Sequence, residues 1–383
     1  MYMYNHYLFL INQPTVQNKL TALILSCLFT LSGASQTAPL TVHTFNESAF
    51  TGSQRILTSL SSLRIDTNVA FVNSLTLMER PSQIVLETTK QGRPIEAFYF
   101  PGKGDKRALI IGGMHGSELS SIAIAKNLIA QLQQDTSNYY DVLVLPVLFP
   151  DNAATAMQHA SQIGSVSNIG RYSSDYLPDP NRQMPPLGKA FDADHPVDFA
   201  GRIIERENQL MLQVIQAFKP DRILNIHAIK DVRNAGVFAD PRTDAQGRSL
   251  GFESDSSLAI AMAAYIEEQG GCVMGNHIEK KPTALYHSDF RAVPEGAFQK
   301  RNLTGSHLPK KRGYGVSLGS WATTAVDDGA DSRKAIRLLT MEFPGCKRPE
   351  DYKDVQQQQW CRQEIDRYTA SIIHVFLQNF YEE

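Results

Sequence analysis

The sequence predicts an α/β layered fold with a largely parallel or mixed sheet. Short apolar runs rich in β-branched residues alternate along the chain with longer segments in which apolar residues recur at helical spacing. Because strands that alternate with helices pack as a sheet between helical layers, this order indicates an α/β protein. The chain has 383 residues, of which 42% are hydrophobic and 20% charged, as is ordinary for a globular protein.

The first predicted element is a hairpin, and a unit made of a strand, a turn and a helix follows it. Residues 84–88 and 95–99 are β-rich runs, and Lys90-Gln91-Gly92-Arg93-Pro94 between them is typical of a hairpin turn. Residues 107–111 form a short, mostly apolar strand that two glycines close. Residues 120–132 then carry apolar side chains at the spacing of a helix.

The remaining elements repeat the alternation of strand and helix. Lys219-Pro220-Asp221 separates a helix from the strand that follows it, since proline cannot continue a helix. The stretches 160–200 and 275–330 are long for loops, and long loops in such a fold tend to build the functional site. We predict strands at 141–148, 222–226 and 335–343, and helices at 203–218, 258–268 and 364–381.

The N-terminal region predicts a secretory signal peptide at 1–34, followed by an extension at 35–80 and a main domain at 81–383. Lys19 precedes an apolar stretch, and small residues at 32 and 34 favour cleavage after Ala34. The apolar stretch is shorter than the roughly 20 residues that a membrane-spanning helix needs, so we expect no span in the mature protein. Cys27 lies where a lipid-attachment cysteine would be sought, but residues 24–26 make a poor lipobox.

The charge and the cysteine content exclude some classes of partner and site. A formal net charge of -2 gives no general attraction to nucleic acid, which usually requires a concentrated basic surface. Cleavage of the leader would leave Cys272, Cys346 and Cys361, an odd number whose spacing matches no zinc-knuckle pattern. A disulfide between Cys346 and Cys361 would suit an oxidising compartment, but the sequence alone does not establish it.

Three ionisable residues, His115, His227 and Glu342, lie at or just beyond the ends of predicted strands. Ligands of open α/β sheets bind at the carboxyl ends of the strands, so we expect one shared pocket. His115 and Glu118 are three residues apart where a strand turns into a helix, which lets both face one ion. His227 would complete the three protein ligands that a catalytic zinc ion takes, leaving its fourth position to water.

Each of these residues alone has a simpler interpretation. A His-x-x-Glu pair is common by chance, His227 alone would more often be a core histidine, and Glu342 alone could be the buried partner of an arginine. The combination carries the inference, because an apolar strand seldom buries a carboxylate without a group nearby that offsets its desolvation.

At these residues the sequence resembles the zinc metallocarboxypeptidases, and within them the bacterial branch that includes murein peptide amidases. The resemblance implies a three-layer α/β/α sandwich with a central mixed, mostly parallel sheet, and a single bound Zn²⁺. The matching segments, in the family's order, are Gln91-Gly92-Arg93-Pro94-Ile95, Gly112-Gly113-Met114-His115-Gly116-Ser117-Glu118, Asp179-Pro180-Asn181-Arg182, Ile226-His227, Ser320-Trp321-Ala322 and Thr340-Met341-Glu342-Phe343-Pro344.

The resemblance also implies roles at the metal. His115, Glu118 and His227 match the family's zinc ligands, and Glu342 matches the general base that takes a proton from water. Asp179 resembles the carboxylate that orients the first zinc histidine, which metal-bound imidazoles commonly require.

Further matches concern the substrate. Asn181 and Arg182 match the pair that grips the substrate's terminal carboxylate, and a guanidinium can hold a carboxylate with two parallel hydrogen bonds. Arg171 resembles the arginine that stabilises the oxyanion. Tyr314 is the nearest candidate for the family's mobile tyrosine, ahead of Tyr286. The simpler alternatives are an ordinary turn at 179–182, a surface position for Arg171 and plain loop packing for Tyr314.

The chain departs from the family pattern around the substrate pocket. Gln183-Met184-Pro185 stands where Asn and then Phe-Pro are common, and Ala228 follows the second histidine where a small hydroxyl residue is frequent. The stretch between His227 and Glu342 is also long, which predicts an inserted loop that shapes specificity.

The expected function is that of a secreted, periplasmic zinc hydrolase that cleaves a peptide bond near a free carboxylate in peptidoglycan stem peptides. The expected partner is therefore a peptide substrate and not a nucleic acid. Two other interpretations stay open. An acyl-amino-acid deacylase of the desuccinylase or aspartoacylase type shares the His-x-x-Glu motif and a distant histidine, and a non-catalytic module would bind wall peptides without cutting them.

Overall fold

The described part of the chain covers most of the predicted main domain. The structure is a computed structural model, and it describes residues 80–134, 138–164, 168–174, 176–246, 248–251, 253–277, 286–287, 290–291 and 312–379. The predicted signal peptide and nearly all of the predicted extension lie outside these residues. The three domain boundaries therefore stay predictions.

A seven-stranded mixed sheet lies at the centre of the described residues. Its strands are β1 (Ser82–Thr88), β2 (Pro94–Phe100), β3 (Arg107–Ile111), β4 (Asp141–Leu145), β5 (Arg222–Ile229), β6 (Gly236–Ala239) and β11 (Arg337–Pro344). They are ordered β1-β2-β4-β3-β5-β11-β6. The four consecutive strands β4, β3, β5 and β11 are parallel, whereas β1, β2 and β6 pair antiparallel with their neighbours. Two short pairs, β7 (Arg242–Thr243) with β8 (Ser249–Gly251) and β9 (Tyr286–His287) with β10 (Phe290–Arg291), lie outside this sheet.

Helices cover both faces of the sheet. They are α1 (Leu119–Leu132), α2 (Pro150–Gln158), α3 (Arg206–Phe218), α4 (Glu253–Glu268), α5 (Leu318–Ala322) and α6 (Val355–Ser371). The helices α1, α4 and α6 share one hydrophobic cluster with Ala108 and Ile110, and α3 and α5 share another with Leu109 and Ile111. Because successive residues of a strand point to opposite faces, β3 is buried on both, and the predicted three-layer sandwich is confirmed. None of these described helices has the length and apolar character that a membrane span requires.

Some element boundaries differ from the sequence predictions. The sequence does not predict α2, whose buried positions are mostly small residues and give no apolar stripe. The helix α6 begins at Val355, nine residues before the predicted start at 364, because Asp354 caps it by accepting a hydrogen bond from Gln357 N. The glutamines that follow are largely exposed, so this first part of the helix has no apolar residues at helical spacing that could have predicted it.

The parallel strands bring distant chain segments together at one edge of the sheet. Strand β5 lies between β3 and β11. In the strand register Asn225 is the partner of Ile111, and His227 is the partner of Glu342. The carboxyl ends of β3, β5 and β11 therefore adjoin, as expected for ligand-binding residues in an α/β sheet.

Candidate metal centre and active site

The loop between β3 and α1 positions His115 and Glu118. Gly113 has a φ of 63°, a left-handed conformation that a side chain disfavours, and it turns the chain away from the sheet. A Cβ on Gly116 would lie 2.4 Å from Ala153 N in α2, so only glycine allows this close approach. The turn holds His115 above the sheet, and Glu118 stands directly before α1.

The carboxylate of Glu118 joins the two histidines. His115 Nδ1 is 2.9 Å from Glu118 Oε1, and His227 Nδ1 is 2.9 Å from Glu118 Oε2. The backbone N–H of Ala228 also donates to Oε2 over 3.1 Å. Burial alone would raise the pKa of Glu118, but His115 and His227 hold it well below its ordinary value. The carboxylate is therefore ionised and faces both imidazoles.

These three side chains can hold a metal ion. One ligand atom from each of His115, Glu118 and His227 lies within 4.8 Å of the other two, and all three residues are buried. Two imidazole nitrogens and one carboxylate oxygen form a donor set typical of catalytic zinc.

The far sides of the two imidazoles have partners that fit metal binding. Asp179 Oδ1 lies 2.8 Å from His115 Nε2, so it can accept the Nε2 proton while Nδ1 binds an ion. Asn225 Nδ2 lies 2.9 Å from His227 Nε2, and Asn225 Oδ1 is buried with no hydrogen-bond partner among the described residues. Rotation of this amide by half a turn would let Oδ1 accept the Nε2 proton and leave His227 Nδ1 as a ligand.

Glu342 stands beside this group on β11 and lines the same cavity. Burial, aided by the charge of Glu118, raises the pKa of Glu342 to about 7 against the opposing effect of the histidines and Arg171. A carboxyl group with such a pKa can take up or release a proton near neutral pH.

Asn181 and Arg182 lie on a short 3₁₀ turn, Pro180–Arg182, in the wall of the cavity. Asn181 Oδ1 accepts a hydrogen bond of 2.9 Å from Leu318 N at the start of α5. Arg202 fixes the turn by donating to the carbonyl of Arg182 over 3.0 Å. Arg182 Nε is buried with no hydrogen-bond partner in the described part of the chain, so this guanidinium has a donor to offer to a ligand.

Arg171 and Tyr314 differ in their position relative to the candidate metal centre. Arg171 lines the cavity and forms an ion pair with Glu118, so the sequence and the structure agree on its proximity to the metal ligands. Tyr314 is not among the described residues that line the cavity. The centroid of its ring lies 6.0 Å from that of Phe199, so Tyr314 contacts a neighbouring loop. The side chain of Tyr286 lies outside the described part of the chain.

Apart from Tyr314, the predicted site residues line the cavity together with residues to which the sequence assigned no role in the site. Its volume is about 310 Å³. Thr340 lies two residues before Glu342 on the same strand, so the period of a strand could have identified it. Lys230 follows His227 by three residues and is exposed. The lining includes His115, Glu118, Arg171, Asp179, Asn181, Arg182, His227, Lys230, Thr340, Glu342 and Cys346.

The cysteines within the described residues are free thiols. Cys346 Sγ donates weakly to Ala228 O over 3.7 Å, and Cys361 Sγ donates to Lys347 O over 3.5 Å. The disulfide that the spacing of Cys346 and Cys361 left open is therefore not formed in this structure.

Comparisons with known proteins give similar structures but no similar sequences. No protein-family model and no curated protein matches the sequence. Bovine thrombin-activatable fibrinolysis inhibitor, solved with a tick carboxypeptidase inhibitor, has a TM-score of 0.45 at 12% identity, with 84% of this chain and 97% of that chain covered. This structure and the bacterial structures described next are those of metallocarboxypeptidase-like proteins.

Two bacterial structures belong to the same group. A metallo-carboxypeptidase from Burkholderia cenocepacia has a TM-score of 0.40 at 13% identity, with 82% of this chain and 69% of that chain covered. A murein-tripeptide amidase from Escherichia coli O157 has a TM-score of 0.38 at 15% identity, with 78% and 94% covered. Each of these TM-scores is less than 0.5, so the similarities do not establish what this chain does.

Proposed function

We propose that this protein is a secreted zinc-dependent hydrolase that cleaves an amide bond next to a free carboxylate in peptidoglycan stem peptides. The observation that carries the proposal is the meeting of a buried His-Glu-His group with Glu342 and Arg182 at one cavity. The His-Glu-His group suits a metal ion, Glu342 suits proton transfer, and Arg182 suits the carboxylate of a substrate.

His115, Glu118 and His227 would hold the ion through two Nδ1 atoms and a carboxylate oxygen. A zinc ion in such a site supplies Lewis acidity toward a carbonyl group and lowers the pKa of water. Asp179 and Asn225 hold the two imidazoles from their far sides, which fixes the ring orientation and raises the basicity of the ligand nitrogens.

Glu342 is the proposed general base. Its carboxylate takes a proton from the attacking water and then delivers it to the departing amine. The pKa of about 7 that Glu342 has in this site suits both steps near neutral pH.

Asn181 and Arg182 are proposed to bind the terminal carboxylate of the substrate. The Arg182 guanidinium lines the cavity, and its unpartnered Nε can join a bidentate contact with a carboxylate. Asn181 Oδ1 already accepts a hydrogen bond from Leu318 N, so the Nδ2 group of Asn181 remains to donate to the substrate. Arg171 is proposed to donate to the carbonyl oxygen under attack, where negative charge develops.

The peptidoglycan substrate and the periplasmic location rest on the sequence. The leader at 1–34 predicts export, and the motifs resemble those of murein peptide amidases. Arg171, Arg182 and Lys230 give the cavity three cationic side chains, which suits stem peptides because these carry several carboxylates. We propose cleavage beside diaminopimelate or a terminal D-residue.

Digestion of purified muropeptides, followed by mass spectrometry, tests the proposal. The expected product has lost a C-terminal unit, and the Glu342→Gln variant should yield almost none while binding zinc normally. No product across several muropeptides, together with release of the acyl group from N-acyl amino acids, would instead favour the deacylase. Tight muropeptide binding with equal, negligible hydrolysis by both proteins would favour the non-catalytic module.

A further inference from the structure

A second cavity opens at the other ends of the strands that carry the metal centre. Its volume is about 540 Å³, compared with about 310 Å³ for the first cavity. Lys106 directly precedes β3, whereas Arg222 and Arg337 are the first residues of β5 and β11, and all three line this cavity. None of the residues proposed for hydrolysis lines it.

The second cavity is strongly cationic. Its described lining includes only two carboxylates, those of Asp221 and Asp331. Against these stand seven cationic side chains: Lys106, Lys219, Arg222, Arg242, Arg333, Lys334 and Arg337. A cleft lined mainly by side chains of one charge sign concentrates ions of the opposite sign.

Ion pairs offset part of this positive charge. Asp255 is fully buried behind the cavity wall, and its carboxylate accepts from both Arg242 and Arg337. Lys106 Nζ lies 3.7 Å from Asp221 Oδ1, at the surface, where such a pair contributes little. Asp255 therefore holds Arg242 and Arg337 in the cavity wall, and Lys219, Arg333 and Lys334 are the lining cations that we consider for contact with an anion.

Arg333 is held in place by neutral groups. Its guanidinium donates to the carbonyls of Trp321 and Ala322, each over 2.9 Å, and lies 4.3 Å from the Trp321 ring centroid. Burial lowers the pKa of Arg333 to about 10, so the group stays protonated at neutral pH. A cation fixed in this way loses little conformational entropy when an anion binds.

The rim of the cavity adds two exposed lysines. Lys219 ends α3 in a left-handed conformation, with a φ of 50°, directly before Pro220. Lys334 lies in the segment that leads into β11 and is also exposed. Their flexible side chains can reach an anion that enters between them.

We propose that this cavity binds a small phosphorylated anion, with pyrophosphate as the simplest representative. The volume falls within the range of about 300 to 1,000 Å³ that is usual for small-ligand sites. Guanidinium groups match the oxygens of a phosphate in geometry as well as charge. The site is independent of the proposed hydrolase activity, because it shares no residue with the metal centre.

Calorimetric titration with inorganic pyrophosphate at constant ionic strength tests this site. The full chain should bind one equivalent saturably, and a double variant, Lys219→Asn with Lys334→Gln, should bind at least tenfold more weakly. Asparagine suits position 219 because it tolerates the left-handed conformation. The matched control is Lys90→Gln with Lys353→Gln, which removes two exposed lysines that do not line the cavity and should bind like the parent.

A second measurement needs no variant. Reductive methylation of the parent protein, followed by peptide mass spectrometry, should show that pyrophosphate protects Lys219 and Lys334 but not Lys90. Absence of saturable binding, equal weakening in both double variants, or equal protection of all three lysines would overturn the proposal.

The phosphate could belong to a free anion or to a lipid headgroup. Sedimentation with phosphatidylglycerol vesicles distinguishes these sources, with phosphatidylcholine vesicles as the control. Vesicle binding that pyrophosphate displaces would identify a headgroup, and pyrophosphate binding without vesicle binding would identify a free anion. Vesicle binding that neither pyrophosphate nor the lysine variant reduces would contradict the site.

Discussion

His227 and Glu342 are register partners on the adjacent parallel strands β5 and β11. The residue proposed to bind the metal and the residue proposed to move the proton are thus fixed relative to each other by backbone hydrogen bonds. A site built on strands holds its geometry more precisely than one built on loops. A substitution at either position can therefore remove one chemical group and leave the frame intact.

Glu342→Gln should lower kcat/KM on a cleavable muropeptide by about 10²–10⁴, the range for loss of a general acid or base. The amide has nearly the same shape but cannot take up the proton. We expect zinc content and KM to change little, as measured by metal analysis and steady-state kinetics. A loss of zinc in this variant would show that Glu342 acts by supporting the metal centre.

Asn225→Leu should weaken metal affinity by about 10-fold to 100-fold, as is typical when the partner of a metal-bound histidine is removed. Asn225→Asp should retain the affinity, because a carboxylate can also accept the Nε2 proton of His227. Competition with a zinc-binding dye measures both values. Equal weakening in the two variants would contradict the proposed rotation of the Asn225 amide.

Removal of the metal should lower the midpoint of thermal unfolding. An ion that binds the folded chain and not the unfolded chain stabilises it by about 2.7 kcal/mol at one hundred times its dissociation constant. Calorimetry with and without a chelator measures the shift, and added zinc should reverse it. In a His115→Gln and His227→Gln double variant the chelator should have no effect.

Gly116→Ala should destabilise the fold by about 1–3 kcal/mol, since its Cβ would overlap backbone atoms of α2. Denaturant unfolding provides the measurement. The matched control is Gly92→Asn, at a hairpin position with a φ of 79° and no atom within 4 Å of the added Cβ. Its free energy of unfolding should change by about 0.5 kcal/mol at most, and an equal effect at both glycines would count against the close approach.

Cys361 should resist alkylation in the folded protein. Burial raises the pKa of its thiol to about 12, so the unreactive protonated form persists well above the ordinary thiol pKa, and reactivity should rise only in strongly alkaline buffer. Mass spectrometry after iodoacetamide treatment at pH 8 should find Cys361 unmodified, but modified in urea. Recovery of a peptide linking Cys361 to Cys346 would contradict the free thiols.

The apolar strands explain why much of the centre could be predicted from the sequence. Residues such as His115, His227 and Glu342 stand out because a polar group at the end of a buried strand needs a partner. Asn225 carries the same signal, since it interrupts an apolar run two residues before His227, but its role depends on an imidazole that only the fold places beside it.

The cationic cavity could not be predicted in this way. Its cationic side chains come from the turns before β3, β5 and β11 and from β7, and no one of these segments supplies more than the three at 333–337. The short strand β6 was also missed, because four residues are too few for a period to be visible. Tyr314 stays a prediction as the mobile tyrosine: its place in the chain shortly before α5 does not reveal which loop its ring contacts, and in the structure the ring lies near Phe199.

Glu118 and His227 are 109 residues apart in the chain, yet their side chains are in contact. An unfolded polypeptide cannot keep such distant donors around one ion, because closing so long a loop costs entropy. Loss of the ion would therefore accompany any opening that separates β5 from the turn after β3. In protein loaded with zinc, the rate at which the ion escapes to an excess of chelator would then measure how often this half of the sheet comes apart.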